Sequence, residues 1–119
     1  MGAGMRLIAL ALSLGLAACA ADKPALDGDA ERGRLLLRQF GCGTCHRISG
    51  VADAQGTVGP PLDGVAKRVY LGGVLPNSAG SMARWIRAPD SFDPNTAMPN
   101  LGVGEQHAQD MVAYLRTLR

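Results

Sequence analysis

Apolar residues recur at helical spacing near both ends of the body of the chain. Between Asp29 and Phe40, the residues Ala30, Gly33, Leu37 and Phe40 fall on one face while Arg32, Arg34 and Arg38 fall elsewhere, which predicts a helix capped by Asp29. From Glu105 to Leu118 the stripe is Ala108, Met111, Val112, Leu115 and Leu118, with Gly104 as an acceptable cap. A third helix is predicted from Ser78 or Ser81 to Arg87, stopped by Pro89. No segment alternates long enough to predict a strand. Two Gly/Pro-rich stretches, Ser49 to Pro61 and Ala88 to Gly104, are predicted loops. Gly33 inside a helix costs about 1 kcal/mol relative to Ala, which predicts a second backbone crossing closely there, at Tyr114 and Leu115.

The N-terminal pattern is of a different kind. Arg6 is followed by an apolar run from Leu7 to Leu16, the layout of an export signal. The uncharged stretch from Leu7 to Ala21 is 15 residues, short of the roughly 20 needed to span a bilayer. Leu16-Ala17-Ala18-Cys19 resembles a bacterial lipobox, in which the cysteine becomes an acylated N-terminus. The predicted organisation is a signal peptide over 1–18, a lipid-anchored tether over 19–28, and one domain over 29–119. Ordinary cleavage after Ala18-Cys19-Ala20, giving a soluble periplasmic protein, is the alternative. The tether reaches about 30 Å when extended at ~3.3 Å per residue.

Composition narrows the function. At 119 residues there is room for one small domain. The formal charge is +2, without a long run of either sign, which argues against nucleic acid as a partner. Removing residues 1–18 leaves a net side-chain charge of +1, too little for strong electrostatic attachment to lipid. There are five aromatic residues against 16 Gly and 7 Pro, so something other than aromatic side chains is expected to fill the centre.

Cys42-Gly43-Thr44-Cys45-His46 is the C-x-x-C-H pattern of covalent c-type haem attachment. On one helical turn the two thiols share a side, where each can form a thioether with a haem vinyl group, and His46 can reach the iron. Such attachment requires export, which the N-terminal segment supplies independently. A thioredoxin-like dithiol expects a βαβ context that is absent from the pattern. A zinc site needs a fourth ligand, and only His107 remains outside the motif once Cys19 is spent.

With Gly59-Pro60-Pro61-Leu62, Thr96-Ala97-Met98-Pro99 and Ala113-Tyr114-Leu115 in order after that motif, the chain from about Gly28 to Leu118 resembles a small class I cytochrome c. The resemblance implies an all-α fold with terminal helices packed crosswise around one covalent haem c, and long Gly/Pro-rich loops. It implies an electron-transfer protein rather than an enzyme. Of the five methionines, Met1 and Met5 leave with the signal, Met82 lies in the third helix, and Met111 is on the packing stripe of the last. Met98, between Pro94 and Pro99, matches the family's axial thioether, with a filler role in an apolar loop as the alternative. His107 is expected to be exposed and not a ligand. Pro60 matches the proline whose carbonyl takes a hydrogen bond from the axial His46. Leu62 resembles the leucine packed against the porphyrin, while Arg68 and Thr96 resemble groups near the propionates; plain packing for Leu62 and a solvated surface cation for Arg68 are their alternatives. Trp85 stands where mitochondrial-type carriers have Tyr, and either tunes the Met98 sulfur or packs beside it.

The function implied is a one-electron carrier with His46 and Met98 on the iron, shuttling between respiratory complexes at the periplasmic membrane face. The stretch from Gly73-Val74-Leu75-Pro76-Asn77 to Trp85-Ile86 resembles cytochrome c domains fused to haem-copper oxidases, which implies an oxidase as acceptor and a quinol-oxidising complex or dehydrogenase as donor. No small-molecule substrate is expected. With Lys23 and Lys67 as its only lysines, the chain lacks a lysine-ringed docking surface. The alternatives are a haem sensor or minor peroxidase with a labile sixth ligand, and a permanent subunit of a larger oxidase or dehydrogenase.

Overall fold

The computed structural model describes residues 28–119, so the predicted signal peptide and the predicted lipidation site Cys19 lie outside the described residues. Three α-helices carry the architecture: α1 (Ala30–Gln39), α2 (Ala79–Arg87) and α3 (Glu105–Leu115). Asp29 caps α1 by accepting the Arg32 N–H at 2.9 Å, and the Ser78 hydroxyl accepts the Ser81 N–H at 3.0 Å to cap α2. Among the described residues, no helix is long and apolar enough to cross a membrane.

The terminal helices α1 and α3 cross closely. Gly33 is buried, and a Cβ there would run into the Asp110 carbonyl oxygen and lie 2.9 Å from the Met111 nitrogen. The crossing is therefore one turn earlier along α3 than the Tyr114–Leu115 contact predicted from the sequence. Asp110, a fully buried carboxylate, fixes it. Its Oδ1 accepts the Asp29 N–H at 2.8 Å, Arg32 Nη2 at 3.0 Å and Gln106 Nε2 at 3.2 Å, and its Oδ2 accepts Arg32 Nε at 2.5 Å. The helix stripe gave no sign of this residue, because position 110 falls among the core positions 108, 111 and 112.

Two elements differ from the sequence expectations. α3 stops at Leu115 rather than Leu118, because the last turn tightens: Thr117 donates from its N–H and its hydroxyl to the Tyr114 carbonyl, and the Leu118 carbonyl is taken by the Ala66 N–H at 3.1 Å. A two-stranded antiparallel hairpin, β1 (Tyr70–Leu71) and β2 (Leu75–Pro76), was not predicted. Its strands are too short for alternation, but Gly72 and Gly73 at φ +55° and +73° form the turn, and a Gly-Gly pair between apolar residues is a hairpin signal.

The buried apolar residues form one cluster without a fully buried aromatic ring. Leu37, Val65, Leu71, Met82, Ile86, Val103, Met111 and Leu115 belong both to that cluster and to the wall of an internal cavity of about 580 Å³. The core is thus a shell. The shell has the shape and apolar lining to take an apolar group that would complete the core.

Candidate functional site

The motif Cys42 to His46 follows directly on α1. Gly41, at φ +73°, turns the chain, and Cys42–Thr44 form a 3-10 turn. In that geometry positions i and i+3 eclipse, so Cys42 and Cys45 stand on one side, at the cavity wall. The turn is closed by Cys45 N–H and His46 N–H donating to the Cys42 carbonyl at 3.3 and 3.0 Å. The two thiols are not joined in a disulfide, and burial pushes the Cys42 thiol above its ordinary value.

His46 is aimed by the loop opposite. Its Nδ1 lies 2.7 Å from the Pro60 carbonyl oxygen. A carbonyl only accepts, so Nδ1 carries the proton and Nε2 keeps its lone pair for a metal. Gly59 makes room for this ring: a Cβ there would meet the imidazole, 2.7 Å from Nδ1 and 3.0 Å from Nε2. The Gly59 N–H donates to the Cys45 carbonyl at 2.7 Å, which ties the loop to the motif.

A further part of the wall comes from the loop after α2. Asp93 starts it by accepting the Asn95 N–H on its side chain and the Thr96 N–H on its carbonyl, at 3.0 and 3.1 Å. Thr96 Oγ1 then accepts the Met98 N–H at 3.2 Å. These turns hold Met98, half-buried, at the cavity wall.

All nine residues that the sequence singled out for the cofactor line this one cavity: Cys42, Cys45, His46, Pro60, Leu62, Arg68, Trp85, Thr96 and Met98. Leu62 is tied to the motif by its N–H, which donates to the Arg47 carbonyl at 2.9 Å. Among the described residues, Arg68 is the only Lys, Arg, Asp or Glu on the wall, and its Nη2 donates to the Pro61 carbonyl. Trp85 projects from α2 on the same side as Met82 and Ile86, and the edge of its six-membered ring lies under Gly72. His107 is exposed, meets the Phe40 ring edge-on at 5.9 Å, and is not on the cavity wall.

Several contributors were not singled out in the sequence. Gly59 acts through the side chain it lacks, and Asp93 through the turn that its carboxylate and carbonyl hold. Asn77 donates from Nδ2 to the carbonyls of Val65 and Arg68 at 2.9 and 2.7 Å, securing the segment that carries Arg68. Its signal, an Asn after a short hairpin, is common to many turns.

A cavity of ~580 Å³ lies within the range of cofactor sites. The wall carries two thiols, an imidazole nitrogen and a thioether, and most of its other residues are apolar. This donor set fits a large flat apolar group bonded at its edge and ligated through its metal. The family model described as Cytochrome c matches residues 30–119. No curated protein matches the chain.

Proposed function

The chain belongs to the cytochrome c family, and from that premise we propose that it is a single-electron carrier of the respiratory chain, in which His46 and Met98 would hold the haem iron, and that it is held at the periplasmic face of a bacterial membrane. Haem-based electron transfer through one haem c, attached at Cys42 and Cys45, is the property of the family. When bound, this group supplies an iron that takes up and releases one electron.

The remaining work falls to the protein. His46 offers Nε2 because Pro60 holds the proton on Nδ1. Met98 offers a soft neutral sulfur, which favours the reduced metal and raises the potential relative to two imidazoles. Leu37, Leu71, Ile86 and Val103 keep water from the wall, lowering the local dielectric. Arg68 and Thr96 both line the cavity, which supports a role for them at the acidic edge of a bound porphyrin.

The observation that carries this reading is the placement of Cys42, Cys45, His46 and Met98 on the walls of one apolar cavity. The decisive experiment is the optical spectrum of the exported, haem-loaded protein. The wild type is expected to show the weak near-infrared sulfur-to-iron band in its ferric form and little reaction of its ferrous form with carbon monoxide. Met98→Ala is expected to lose the band and bind carbon monoxide rapidly. A wild type that already binds carbon monoxide rapidly is a gas sensor or peroxidase instead.

The export-signal and lipobox patterns support cleavage after Ala18 and acylation of Cys19. Mass spectrometry of the mature chain tests this: residues 1–18 absent, an acylated N-terminus, and a haem mass that survives acid extraction. The Gly73–Ile86 resemblance supports a haem-copper oxidase as acceptor, with a quinol-oxidising complex or dehydrogenase as donor. Copurification with such an oxidase after membrane solubilisation separates a fixed subunit from a free carrier.

A further inference from the structure

The hairpin β1–β2 carries an apolar surface that the electron-transfer site does not use. Val69 is 75% exposed, Tyr70 57% and Val74 45%. None of the three is on the cavity wall. From Val69 to Ala83 the chain contains no charged residue. The hairpin is also held firmly: the Asn77 N–H donates to the Val69 carbonyl at 2.9 Å, the Val74 N–H to the Leu71 carbonyl at 3.0 Å, and the Asn77 side chain secures the segment before it. A rigid turn with bare valines and a tyrosine is not what solvent alone selects.

Cations sit beside it. Lys67 is exposed, two residues before Val69. The Ala66 N–H to Leu118 carbonyl bond brings the chain's end to the same corner, with Arg119 exposed there. Among the described residues, neither Lys67 nor Arg119 forms an ion pair. An apolar tip with an aromatic hydroxyl, flanked by free cations, matches the layers of a lipid surface: acyl chain, interface and anionic headgroup.

We propose that the Val69–Pro76 hairpin is a lipid-facing wedge, seating Val69, Tyr70 and Val74 at the acyl boundary of an anionic bilayer with Lys67 and Arg119 at the headgroups. This rests on the reading that the carrier lives at a membrane face. A tether from Cys19 to Gly28 reaches about 30 Å, roughly the diameter of a 92-residue body. Such a tether sets distance without setting orientation, since any face can reach the surface. Three apolar side chains bind lipid only weakly by themselves, but the tether turns that contact into an intramolecular one, so a weak wedge suffices to orient the body. A second copy of the chain is a poorer occupant, because three side chains fall far short of the ~1,200 Å² that a stable interface buries.

The test uses the full, haem-loaded chain carrying Cys19→Ala, so that its outcome is independent of acylation, which the mass of the wild-type protein reports separately. It is floated with excess vesicles of phosphatidylethanolamine and phosphatidylglycerol. A fraction is expected to float, and Val69→Ser with Val74→Ser is expected to lower the partition coefficient about tenfold, with the haem spectrum unchanged. Vesicles are expected to slow nitration of Tyr70 severalfold and leave Tyr114, bonded to the Ser49 carbonyl, as it was. Absence of flotation, equal partition of the double variant, or equal Tyr70 nitration with and without vesicles overturns the proposal. A double variant that floats normally but delivers electrons more slowly to an oxidase also overturns it, and makes the hairpin a protein-docking face.

Discussion

Nδ1 of His46 lies 2.7 Å from the carbonyl oxygen of Pro60, and the residue before that proline has no side chain because the imidazole occupies the space. The two facts have one cause. The loop that orients the histidine must approach it more closely than a Cβ permits, so a proline supplies the acceptor and a glycine supplies the clearance.

Gly59→Ala therefore displaces the His46 ring rather than the backbone. Gly59 does not have a positive φ, so Ala is conformationally acceptable and the clash alone is tested. The variant is expected to incorporate less haem, and what it incorporates should show a weakened axial field. The ratio of haem absorbance to protein, together with the ferric near-infrared band, measures both. An alanine variant with wild-type loading and spectrum shows that the ring has room to spare.

Glycines at two helical positions should respond in opposite directions. Gly33→Ala drives a methyl into the Asp110 carbonyl at the α1–α3 crossing, an overpacking that costs about 1–3 kcal/mol or more. Gly80→Ala in α2 meets nothing within 4 Å and removes backbone freedom from the unfolded chain, a gain of about 0.5–1 kcal/mol. Denaturant midpoints of the two holoproteins decide it: both variants moving the same way contradicts the crossing.

The sequence carries strong signals where local chemistry is repetitive or dense. Helix caps at Asp29 and Ser78, the apolar stripes and the Cys42–His46 turn all depend on neighbours a few residues away. The nine residues singled out for a cofactor line one cavity, eight of them from loops and turns whose motifs are short and Trp85 from α2. Long-range geometry was less legible. A one-turn shift of the α1–α3 crossing leaves the periodicity of both helices intact, so Gly33 announces a close approach without naming its partner. Asp110 hides in an apolar stripe because its charge is answered by Arg32, 78 residues away. The hairpin at Gly72-Gly73 escaped because two residues cannot alternate visibly.

Asp110 makes stability depend on acid. The hydrogen bond and charge of Arg32, with help from the Asp29 N–H and Gln106, hold its carboxyl well below the usual carboxylate range. Its contribution is thus complete above the unfolded value near pH 4 and is lost as pH falls from there toward the folded value. Asp110→Asn keeps the shape but presents an NH₂ to an Arg32 donor. It is expected to cost about 1.5–3 kcal/mol at neutral pH, with a smaller further loss between pH 4 and pH 2 than in the wild type. Unfolding free energies across that window measure the difference, and parallel curves assign the acid response to other carboxylates.

The rim of the cavity predicts how a redox partner is recognised. Val58 is 75% exposed and Leu101 44%, and both line the mouth together with Pro60, Ala97 and Pro99, all exposed. Among the described residues, Arg68 is the only Lys, Arg, Asp or Glu that lines the cavity. Electrostatic steering is weak across such a surface, and encounter depends on apolar contact. The bimolecular rate of electron transfer to a purified haem-copper oxidase should accordingly change less than about tenfold as salt rises from 10 mM to 200 mM, whereas steered pairs lose far more. Val58→Lys should slow the reaction at every salt concentration by disrupting contact, while Lys67→Ala, away from the mouth, should leave it unchanged. A steep salt dependence that Lys67→Ala abolishes places docking on the cationic corner and not on the rim.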